Sequence, residues 1–76
     1  MVAESRRVEI VSADSVGAAP GRVDTLLSAA ADRAEVLAAL AWEVWHGARS
    51  VRTDDIAAAT RICRTVEAVL DARQGE

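Results

Sequence analysis

Few side chains here could do chemistry, and their surroundings decide which. The single histidine, His46, and the single cysteine, Cys63, offer the imidazole and thiol that together make an activated nucleophile. No second ligand or nucleophile stands beside His46 in the sequence. Cys63 falls inside an apolar stripe, where a thiol acts as a small buried hydrophobe. His46 ends a predicted helix, where a cation meets the negative end of the dipole. Asp54 and Asp55 are paired carboxylates, but two acids opening a helix are explained by capping and the dipole. One Cys and one His cannot build a structural zinc site. Gly17 and Gly21 lack the Gly-Lys-Ser/Thr sequel of a phosphate loop. The expectation is a chain that is not an enzyme, with no catalytic residue, no metal and no cofactor.

Binding residues stand out more than reactive ones. Trp42 and Trp45 straddle the edge of an apolar helix face, and tryptophan is a frequent anchor of protein interfaces. Val36 and Leu40 flank that face, and Val8 and Ile10 lie in a β-branched N-terminal stretch. These six, Trp42, Val36, Leu40, Trp45, Val8 and Ile10, are the expected partner-binding residues. Arg49, Arg52, Arg61 and Arg64, interleaved with Thr53, Thr60 and Thr65, could instead meet phosphates. Acidic neighbours at Asp54, Asp55, Glu67 and Asp71 favour a solvated, salt-bridged face.

Composition narrows the classes. Seventy-six residues make one domain at most, and the 51% hydrophobic fraction belongs to a folded chain. All nine basic residues are arginine, in an alanine-rich sequence that suggests a GC-rich bacterial genome. A formal net charge of −3 argues against bulk nucleic-acid binding. There is no apolar run of membrane-spanning length and no secretory leader pattern in MVAESRR. A cytoplasmic location is expected, with no membrane partner.

The elements that must position these residues follow from periodicity. Arg7 to Ser12 alternates apolar and charged residues, which predicts a short strand. One strand is not stable alone, so it needs a second copy, another protein, or the extended segment near Val51. Ser15 to Gly21 reads as a loop. From Arg22 to His46, Val23, Leu26, Leu27, Ala30, Ala34, Leu37, Ala41, Val44 and Trp45 share one arc, which predicts a single long helix. Asp32 to Glu35 could be a capping box starting a separate helix, but the apolar arc keeps its phase across it. After Gly47 a second helix is expected, with Thr53 as its N-cap and Ile56, Ala59, Ile62, Cys63, Val66, Val69 and Leu70 as its stripe. Residues 1–7 and 73–76 read as frayed ends.

The passage from Gly47 through Val51 to Asp55, Ile56 and Ala59 resembles the helix–short strand–helix segment of the histone fold. The same segment occurs in the helical lid of AAA+ ATPases of the magnesium-chelatase type. The resemblance covers residues 34–62 and implies a helical, paired module. It carries no activity, because no nucleotide-binding loop accompanies it.

Together these readings predict an all-α fold: an antiparallel two-helix hairpin over residues 22–76, preceded by an arm or strand and loop over 1–21. The apolar excess around Val36 to Trp45 points to a dimer in a four-helix arrangement. The expected function is a small protein–protein interaction module: a homodimer, an adaptor, or a subunit of a larger bacterial complex. The competing class is a histone-fold-like or antitoxin-like dimer contacting nucleic acid through the four arginines.

Overall fold

The structure, a computed structural model, describes residues 7–15, 17 and 20–74. Of the frayed ends expected at 1–7 and 73–76, residues 1–6, 75 and 76 lie outside that range, while Arg73 and Gln74 continue the last helix instead of fraying. Five elements follow in order: strand β1 (Glu9–Ser12), strand β2 (Arg22–Thr25), helix α1 (Arg33–Trp45), strand β3 (Ser50–Thr53) and helix α2 (Ile56–Gln74). A 3-10 turn, Leu27–Ala29, joins β2 to α1.

The all-α expectation is overturned. Three parallel strands form a sheet in the order β1-β3-β2, so the fold is α/β. The register places Ile10, Val51 and Val23 in one row and Ser12, Thr53 and Thr25 in the next. Side chains in a row share a face, and these two rows are β-branched except at Ser12. That is the composition a pleated, half-buried surface selects. Val51 and Thr53 are all but inaccessible at the centre of the sheet.

Residues 22–31 are the reason for the error. Their apolar positions keep helical phase with α1, yet Arg22-Val23-Asp24-Thr25 also alternates with a period of two. Once β3 offers a neighbour, the backbone bonds of a sheet outweigh that phase, and Asp32 starts α1 instead. Its carboxylate accepts from the Glu35 N–H at 3.2 Å, the N-cap of a separate helix.

The hairpin is corrected too. With a strand between them, both helices begin beside the C-terminal ends of the strands and run the same way. The Arg33–Asp55 ion pair, 2.7 Å, joins their starts, and Arg73 lies 5.1 Å over the Trp45 ring near their ends. Parallel helices take the place of the antiparallel pair, and the four-helix arrangement built on it falls away.

Both helices cover the same face of the sheet, α1 against β2 and α2 against β1 and β3. Between the layers lies a core of Val8, Leu40, Val44, Val51, Ala59 and Cys63, with Ile10, Ile62 and Val66 packed on it. The opposite face carries Arg22, Asp24 and Arg52. Arg52 donates to the Ala13 carbonyl at 2.9 Å and to Asp24 at 2.7 Å, and Arg22 donates to the Gly17 carbonyl. Those contacts bring the described parts of the β1–β2 connection onto this second face.

Candidate interaction surface

The reactive residues do not converge. His46 closes α1, its ring 4.0 Å from that of Trp42 and its Nδ1 2.8 Å from the Trp42 carbonyl. Cys63 is fully buried under the sheet, and that burial pushes its thiol up to about 11. A thiol so held is protonated at neutral pH and has little nucleophilic character. Among the described residues no group of three or more His, Cys, Asp or Glu side chains is placed to hold a metal ion.

The carboxylates at the C-terminal ends of the strands are occupied by structure. Open parallel sheets bind ligands at this pole, usually through backbone N–H groups. Here the chain fills those positions itself. Asp54 accepts from the Leu27 and Ser28 N–H groups at 2.7 and 2.8 Å. Asp55 accepts from Ala58 N–H at 3.1 Å, so it caps α2, while its second oxygen takes Arg33. Thr53, expected as that cap, ends β3 and accepts the Asp55 N–H at 3.0 Å. Hydrogen bonding from Ser28 holds Asp54 below the ordinary aspartate range, and the Arg33 guanidinium does the same for Asp55.

The four arginines of the alternative reading part company. Arg52 is spent on Asp24 and Ala13 on the face away from the helices. Arg64 is spent on Glu67 at 2.6 Å and on the Val8 carbonyl at 3.1 Å, beside the β1 edge. Arg49 and Arg61 are exposed.

The expected partner-binding residues divide as well. Leu40 and Val8 are 1% and 2% exposed, inside the core, so neither offers a surface. The sheet covers Leu40 and α2 covers Val8; an isolated hairpin would have left both bare. Ile10 and Val36 are half-buried, Ile10 against that core. Trp42 is different: at 64% it is the most exposed large hydrophobic residue among the described residues. It stands on α1 opposite the buried Leu40 and Val44, one turn after the exposed Ala38. Trp45, 38% exposed, borders it, and across the seam on α2 Val69, 45% exposed, sits one turn before the Arg73 that covers Trp45. The result is an apolar strip on the outer side of the helix layer, with Glu35 and Glu43 exposed on the same helix.

Sequence reasoning missed Glu67, placed on the polar face of α2 but 7% exposed. Its carboxylate accepts the Val8 N–H at 2.6 Å while Arg64 reaches the Val8 carbonyl. The available signal was the Arg64–Glu67 spacing of three on one helix, which makes a pair able to act as a unit. No helix among the described residues is long and apolar enough to cross a membrane. No family model, curated protein or solved structure matches the chain.

Proposed function

We propose that this chain is a small non-catalytic protein–protein interaction module that docks another protein on the outer side of its helix layer, with Trp42 as the anchor. The exposure of Trp42 carries the reading. A tryptophan left largely in water costs solvation free energy and contributes little to a core that Leu40, Val44 and Val51 already fill. Anchors of this kind sit in apolar strips ringed by polar groups, and a large aromatic side chain dominates the energetics of such contacts. Glu35 and Glu43 on the same helix suit a partner with a basic rim.

The test is recovery of a partner from the native host with the wild-type chain and with Trp42→Glu. The substitution should abolish recovery while leaving helix content and thermal midpoint unchanged, because exposed positions rarely shift stability by more than about 0.5 kcal/mol. Equal recovery by the two proteins would overturn the assignment. A parallel titration with duplex DNA at low salt examines the arginine alternative, whose mark is binding that falls steeply as salt rises.

A further inference from the structure

The two edges of the sheet are not treated alike. In a parallel ladder alternate residues turn their N–H and C=O groups toward the neighbouring strand. The Glu9 N–H bond to the Arg49 carbonyl, 3.0 Å, fixes the phase of β1, and the Ser50 N–H bond to the Gly21 carbonyl, 3.4 Å, fixes that of β2. By that phase Val8, Ile10 and Ser12 turn outward on the β1 side, and Arg22 and Asp24 turn outward on β2. At Val8 both outward groups are taken by α2: Glu67 accepts its N–H and Arg64 donates to its carbonyl. The pair imitates a neighbouring strand and blocks the start of that edge, as guarded edges do. Further along β1 the Ser12 carbonyl accepts the Ser15 N–H at 2.9 Å, which leaves Ile10 alone open between two occupied positions. On β2, among the described residues, no hydrogen bond reaches the backbone groups of either Arg22 or Asp24.

We propose that β2 pairs with β2 of a second copy, antiparallel about a two-fold axis at Val23, so that the three strands of each copy continue as one sheet. Hydrogen-bond phase and charge select this register together. Outward residues must face outward residues, so within the strand the axis can pass through Arg22, Val23, Asp24 or Thr25. An axis at Thr25 sets Asp24 against Leu26, with no opposite charge to meet it. An axis at Asp24 sets that carboxylate against itself. One at Arg22 sets arginine against arginine and Asp24 against Pro20, which has no N–H. Like charges directly opposite each other are destabilising. The axis at Val23 sets Arg22 opposite Asp24 of the second copy, twice over, with Val23 against its own counterpart. Asp24 has room for this contact: its side chain is 46% exposed although it already binds Arg52. Within one copy Arg22 Nε already lies 3.6 Å from Asp24 Oδ1, and the Arg22 side chain is 16% exposed. The contact between copies therefore uses the guanidinium donors left over from that pair and from the Gly17 carbonyl. This surface is separate from the Trp42 strip and its occupant is different, so the two proposals stand or fall independently.

Sedimentation over rising concentration, up to about 1 mM, should show reversible conversion from one copy to two. Arg22→Asp and Asp24→Arg, each alone, should remain single, because each places like charges opposite one another. Mixed in equal amounts they should associate, since the mixed pair restores both opposite-charge contacts. Trp42→Glu should associate as the wild type does. If either charge variant fails to fold by circular dichroism, hydrogen exchange on the wild type decides. The N–H groups of Arg22 and Asp24 should gain protection as concentration rises, and those of Ile10 and Ser12 should not. A wild-type chain that stays single throughout, folded charge variants that associate as well as it does, a mixture that stays single, or protection confined to β1 would each overturn the proposal.

Discussion

Glu67 and Ser50 are both nearly inaccessible polar side chains, and their surroundings give them opposite energetic roles. Glu67 satisfies a buried N–H and is itself satisfied by Arg64. Its removal strands the Val8 N–H and leaves a half-buried guanidinium without its anion. Glu67→Ala should therefore destabilise the fold by about 2–4 kcal/mol, read from urea unfolding, with loss of protection at the Val8 amide. A shift under about 0.5 kcal/mol, the usual range of a surface change, would mean that Val8 is held by core packing alone. Ser50 is 6% exposed and its hydroxyl has no hydrogen-bond partner among the described residues. Ser50→Ala removes that unpaired group from a buried site, so the same measurement should find it neutral or stabilising by up to about 1 kcal/mol.

Gly47 is where element boundaries become decisive. Its φ of +108° lies where side chains are strained, and a Cβ added there would meet nothing within 4 Å. The space is open, so Gly47→Ala should cost the backbone term alone, about 1–2 kcal/mol in a thermal or urea melt. A loss much larger than that would reveal packing the geometry does not show. This stop was readable in the sequence, as were the strand before Ser12, the helix beyond Asp55 and a possible pairing near Val51. The second strand was not. Four residues, Arg22 to Thr25, give too short an alternation to outweigh an apolar arc that runs in phase from Val23 to Trp45. The force that settles them comes from β3, far along the chain. The same omission misplaced Leu40, which the unforeseen sheet covers, and Val8, which α2 covers once the strands are in place. It did not misplace Trp42, whose position on α1 is opposite the core whatever lies beneath the helix. By sequence position Asp54 is a dipole residue of its own helix. Its partners are Leu27 and Ser28, and nothing local in the sequence points to them.

Across the whole molecule the layers are joined by aspartates that bridge distant segments. Asp24 ties β2 to β3 through Arg52, Asp54 ties the end of β3 to the 3-10 turn, and Asp55 ties the start of α2 to that of α1 through Arg33. All three are held below the ordinary aspartate range: Asp24 by the Arg52 hydrogen bond, Asp54 by Ser28, Asp55 by Arg33. A carboxyl whose folded pKa is depressed binds fewer protons folded than unfolded. The stability it contributes is fully present above the unfolded value, about 3.9, and is lost as pH falls through the lower folded value. The thermal midpoint should therefore hold steady from neutral pH down to about 5, then fall progressively below about pH 4. Salt supplies a second axis. These groups are partly exposed, so added salt should lower the midpoint slightly at neutral pH. Near pH 3, where protonation has removed part of each attraction, it should lower it less. Asp55→Asn should flatten the acid limb without steepening it, since one of the titrating bridges is then absent at every pH. A midpoint that instead rose on acidification would show that repulsion among the chain's excess negative charges outweighs these three bridges.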